Sequence, residues 1–135
     1  MAWEEILESI GSLTAAADLS AAGNQHKAVK MAGDGTVGLA SAGSDLVIGV
    51  LQNKPALGAA AAVAVKGVTK LRLGASVTFG QRLVADANGC AVPSTTATDI
   101  AFAIALESVA LAATATGDEL VAALLTGPYW AGNAS

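Results

Sequence analysis

Residues 62–73 read Ala62-Val63-Ala64-Val65-Lys66-Gly67-Val68-Thr69-Lys70-Leu71-Arg72-Leu73, and their character repeats every two positions. The odd set is Val63, Val65, Gly67, Thr69, Leu71 and Leu73; the even set is Ala64, Lys66, Val68, Lys70 and Arg72. Successive side chains on a strand point to opposite faces, so the pattern predicts a long, half-buried strand with one apolar and one cationic face. A helix would mix the two sets around its circumference. Gly67 interrupts the apolar set, and a bend or bulge in a curved sheet is expected there.

Shorter segments of the same kind surround it. Residues 27–31 and 36–40 flank Ala32-Gly33-Asp34-Gly35, a hairpin signal. Residues 46–51 form another run, stopped by Asn53-Lys54-Pro55. Residues 81–85 and 90–92 flank Asp86-Ala87-Asn88-Gly89, whose residues suit a turn with positive φ. Ile100, Phe102, Ile104 and Leu106 alternate with Ala101, Ala103 and Ala105, and residues 121–125 supply a last strand. Strands about every ten residues with turns between them predict an all-β fold, a small antiparallel β-barrel or sandwich.

The two ends differ from this body. Trp3, Ile6, Leu7 and Ile10 fall at helical spacing between Glu4, Glu5 and Glu8, which suits either a short amphipathic helix or an extended arm. Residues 11–26 read as an irregular or weakly extended lead-in. Residues 127–135 form an extended C-terminal tail holding Tyr129 and Trp130. The expected organisation is an arm and lead-in at 1–26, a β domain at 27–126 and a tail at 127–135. Aromatics at both ends of an aromatic-poor chain are candidates for interface anchors or for caps on the barrel ends.

Composition narrows the function classes. Hydrophobic residues make up 53% of 135 positions but aromatics only 4%, so the core must be rich in Ala. Ala buries little area, and such a core gains stability from partner subunits. The longest uncharged apolar run, residues 57–65, is far shorter than the ~20 residues of a spanning helix, so no membrane partner is expected. The start, Met1-Ala2-Trp3-Glu4-Glu5, is acidic where a signal peptide would be basic. The net charge of −4 is segregated: residues 1–26 carry four acids and no cation, 27–82 hold all seven cations against two acids, and 83–135 carry five acids and no cation. A basic middle between acidic ends suits docking on a charged protein surface or self-complementary assembly, unless it only reflects solvated strand faces. Nucleic acid is not expected as a partner, since the chain is acidic and has few aromatics to stack bases.

Catalytic chemistry is hard to assemble from these residues. Cys90 is the only cysteine and His26 the only histidine, which excludes an intrachain disulfide and a zinc site of the usual kind within one chain. His26 is expected in an exposed loop, and Cys90 as a small apolar filler beside a turn. Asp34, Asp45, Asp86 and Asp118 fall in turns, where Asp bonds its own backbone. Gly33-Asp34-Gly35-Thr36-Val37-Gly38 matches G-x-G-x-x-G but has no helix to open, so it is no dinucleotide site. Ala28-Val29-Lys30-Met31 resembles the modified hairpin of biotin carriers, yet Lys30 lies on a strand and not at a turn tip. No enzyme and no cofactor is expected.

The order of segments carries a resemblance over most of the chain. Leu13-Thr14-Ala15-Ala16-Ala17-Asp18-Leu19-Ser20 leads to Lys27-Ala28-Val29-Lys30 and Ile48-Gly49-Val50-Leu51-Gln52-Asn53-Lys54-Pro55. Val68-Thr69-Lys70, Gly74-Ala75, the Val84–Gly89 hairpin and Leu124-Leu125-Thr126-Gly127-Pro128 follow. This series resembles the small capsid decoration, or cement, proteins of tailed bacteriophages, most specifically at residues 49–55. The resemblance implies a structural virion protein, made in the host cytoplasm, that docks on the capsid exterior as a trimer. It would clamp major capsid protein subunits together. It supplies no site residues. From chemistry alone, the candidate contacts are Trp3, Ile6, Leu7, Ile10, Tyr129 and Trp130, with Lys66, Lys70 and Arg72 facing an acidic partner patch. A tail or spike subunit, or a small-ligand or carrier barrel, is the competing expectation.

Overall fold

A computed structural model describes residues 3–111 and 119–130, and it is all-β. Its strands are β1 (Glu5–Ala15), β2 (Ala28–Gly33), β3 (Thr36–Leu39), β4 (Val47–Leu51), β5 (Ala60–Arg72), β6 (Arg82–Ala85), β7 (Ala91–Pro93), β8 (Ile100–Ala105) and β9 (Leu120–Trp130). The order β1-β3-β2-β4-β5, together with a β1–β5 pairing, closes five strands into a barrel. From β5 the sheet continues through β9, β8, β6 and β7. Just past the end of β5 the chain meets this second half again, because Leu73 bridges Ala91, the first residue of β7.

The strand expected at the centre of the chain therefore serves both halves. The first part of β5 pairs with β4 at Val63 and Ala64 and with β1 from Ala60 to Val68. Its second part, Gly67 to Arg72, pairs with β9. The expected two-face alternation does not run through it. Before Gly67, Ala61 and Val63 face the barrel interior with Ala15, Leu19, Val29, Val37 and Leu51. Ala64 faces a second and larger core, shared with Phe102, Leu83, Val121 and Ala123. After Gly67 the odd residues Leu71 and Leu73 face that larger core instead. Gly67 has φ of 105° and absorbs this change of parity, which a residue bearing a Cβ reaches only under strain. The expected bend is present, and it breaks the single cationic face: Lys66 stands on the other side of the parity change from Lys70 and Arg72.

The N-terminal segment resolves to the extended alternative and not to a helix, and it forms part of the barrel wall. β1 pairs antiparallel with β5 from Glu5 to Thr14 and parallel with β3 at Thr14 and Ala15. Its register shifts between Glu5 and Glu8, between Glu8 and Ser9, and between Ile10 and Leu13. Such irregularities hide a period of two from the sequence. At the other end, the strand expected over 121–125 runs on to Trp130, and its backbone pairs with β8 at Ala101 and Ile100.

Candidate docking surface

The chemistry-bearing side chains are spent on structure. Asp45 accepts hydrogen bonds from the Ser41 and Ala42 amides and from Lys30 Nζ at 3.0 Å. These contacts hold its carboxyl below the usual range, the Ser41 amide foremost. Lys30 is thereby fixed on the middle of β2 against a loop carboxylate. Asp86 accepts from the Asn88 and Cys90 amides and shapes the β6–β7 hairpin. Asp34 lies in the β2–β3 turn, and Asp118 lies outside the described residues. Cys90 is a buried free thiol, and burial pushes its pKa up. Among the described residues no group of His, Cys, Asp and Glu could hold a metal, and no helix is long and apolar enough to cross a membrane.

His26 differs from expectation. It is half-buried, not an exposed loop residue, and its φ of 71° is left-handed. Its amide donates to the Leu51 carbonyl at 2.7 Å, and its carbonyl accepts from the Arg72 amide at 3.0 Å. Its backbone thus joins the end of β4 to the end of β5. Burial lowers its pKa, Lys70 and Arg72 act in the same direction, and Glu4 acts against them.

The candidate contact residues fall into three groups. Trp3 and Ile10 are 38% and 37% exposed, and Trp3 donates its indole N–H to Glu5 at 3.0 Å. Leu7, from the same segment, packs partly against the larger core. Along residues 5–12 one edge of β1 bonds to β5, whereas the pairs with β3 begin only at Thr14. The ribbon that carries Glu5, Glu8 and Ile10 is therefore exposed along most of its length. The cations form the second group. Lys66 is exposed and lies 3.9 Å from Glu8, while Lys70 is half-buried. The Arg72 guanidinium donates to the carbonyls of Gln25 at 2.7 Å and Ala22 at 3.0 Å, so it ties down the 3-10 turn at Ala22–Asn24. Tyr129 and Trp130 form the third group; they end β9, and their side chains, like that of Ile6, lie outside what the structure describes.

The periodicity did not reveal exposed apolar side chains on the second sheet: Leu124 at 39% and Leu106 at 36%. Their positions in the alternating runs 121–125 and 100–106 are visible in the sequence. Which of the two strand faces stays uncovered is decided only by where the barrel packs.

These features define an all-β class: a closed five-stranded barrel whose longest strand founds a second sheet. No protein-family model matches the sequence, and no curated protein matches it. Among solved structures the chain is similar to the crystal structure of the head fiber gp8.5 N base in bacteriophage phi29. The similarity has a TM-score of 0.62 and 16% sequence identity, and it covers 92% of this chain and 98% of that one. At that identity the two share a fold.

Proposed function

We propose that this chain is a structural virion protein of a tailed phage that docks on the outer surface of the head. In this reading it stabilises contacts between major capsid subunits as a trimer and has no catalytic role. The observation that carries the reading is the similarity, over nearly the whole of both chains, to the base of a phage head fibre. The segment order that resembles decoration proteins supports the same role. Docking uses the exposed start of β1, where Trp3 and Ile10 are the apolar anchors. Exposed Lys66 lies toward an acidic patch of the major capsid protein, and Lys70, across the parity change at Gly67, does not share its face. Leu7 serves the fold, since it packs on the core.

Mixing purified protein with undecorated heads tests this. Wild type is expected to bind and to raise the temperature at which heads lose their DNA. Trp3→Ala combined with Ile10→Ser is expected to lower occupancy at least about tenfold, the size of effect typical of buried interface anchors. Raising salt from about 0.05 to 0.5 M should weaken docking, because exposed charges are screened. Binding to tails but not to heads would move the protein to another phage assembly. Binding to neither would overturn the reading.

A further inference from the structure

One row of side chains crosses the second sheet on the face turned away from the core. Glu5 on β1 lies opposite Val68 on β5, Val68 opposite Leu124 on β9, Leu124 opposite Ile104 on β8, and Ile104 opposite Arg82 on β6. Residues directly opposite each other on neighbouring strands share a face. The alternate positions Leu71, Ala123, Leu125, Ala103 and Leu83 all point into the larger core, so this row points out. It begins with an acid, ends with a cation and is aliphatic between them. Four inter-strand spacings of about 4.8 Å make it roughly 19 Å long. The next row on the same face holds Lys70 opposite Ala122, and the Leu106 amide donates to the Ala122 carbonyl at 2.9 Å.

We propose that this face is a two-fold contact between copies of the chain. Charge order selects the occupant and the axis. Two such faces meet with either an axis along the strands or an axis along the row. The second choice stacks Glu5 on Glu5 and Arg82 on Arg82, which like-charge repulsion disfavours. The first, through Leu124, sets Glu5 against Arg82 of the second copy at both ends. It also sets Val68 against Ile104, and Leu124 against its own equivalent. In the adjoining row it lays the aliphatic stem of Lys70 over Leu106, which is 36% exposed. A surface that is self-complementary under one rotation forms a closed isologous pair. The contact area is small, so association is concentration-dependent.

The contact needs no phage head, and its test is independent of the docking reading. It is also separate from any three-fold contact: a ring whose subunits each carry this face doubles its copy number. Sedimentation velocity and native mass of the purified full chain, from about 0.1 to 100 µM, read the assembly. Wild type is expected to show twice the copy number of Leu124→Glu at the upper end, with circular dichroism unchanged between them. Glu5→Arg and Arg82→Glu are each expected to raise the dissociation constant at least about tenfold. The double variant, which restores opposite charges across the axis, should return to within about threefold of wild type. Equal copy number in wild type and Leu124→Glu overturns the proposal. So does a double charge reversal that stays as weak as the single ones.

Discussion

Gly49 sits where β4 passes close to β5. A Cβ there would run into the Ala64 carbonyl oxygen and a Val63 methyl, so the backbones approach only because the side chain is missing. Gly49→Val is expected to cost about 2–3 kcal/mol, read from the urea midpoint, because neither obstacle is the end of a flexible chain. His26 makes a different prediction. Burial holds its imidazole below the ordinary value of about 6.5, so the unfolded chain binds that proton more readily than the folded one. Between the folded value and about 6.5, stability therefore falls as the pH falls. Asp45 and Asp99 have lowered values too, but they act below the ordinary carboxylate range of about 4 and leave this window to His26. His26→Asn keeps a residue that tolerates positive φ and removes the titration. Its urea midpoint should change less than wild type's between about pH 7.5 and 5. The turn roles of Asp45 and Asp86 were legible in the sequence, since Asp beside Gly and Asn forms such turns wherever it stands. The burial of His26 was not, because it comes from residues more than twenty positions away on two other strands.

At the scale of elements, the interior strands were readable because each combines a short apolar run with a turn signal. β1 was not, for two reasons visible in its residues. Trp3, Ile6, Leu7 and Ile10 mimic helical spacing, and three register shifts against β5 erase the period of two. Its role in closing the barrel also depends on partners some fifty residues away. That role changes what a truncation reports. Removing residues 1–10 strips the pairs of Glu5, Glu8, Ser9 and Ile10 from β5 and leaves those of Leu13 and Thr14. Such a variant is expected to unfold at lower urea than wild type, whereas point changes at Trp3 and Ile10 should not change the unfolding free energy by more than about 0.5 kcal/mol. Gly67 was legible as a bend, but its change of parity was not, since alternation on either side reads as unbroken. At a φ of 105°, Gly67→Val is expected to cost about 1–3 kcal/mol in backbone strain.

At the scale of the whole molecule, β5 has a mechanical consequence. β1 and β9 both run antiparallel to it, one at its first part and the other at its second, so they run parallel to each other. The start of β1 lies beside Val68, and Leu125 of β9 lies beside Gly67. Tension applied between the start of β1 and the end of β9 therefore acts along the strand axes, in opposite senses on the two flanks of β5. The ladder bonds of an antiparallel pair lie perpendicular to the strands, so such a pull shears many of them together and cannot peel them one at a time. Stretching single molecules from these two points should show one high rupture force, and anchoring instead at the two ends of the β6–β7 hairpin should open it at a much lower one. A chain stretched across a surface by its first and last strands would yield late and all at once.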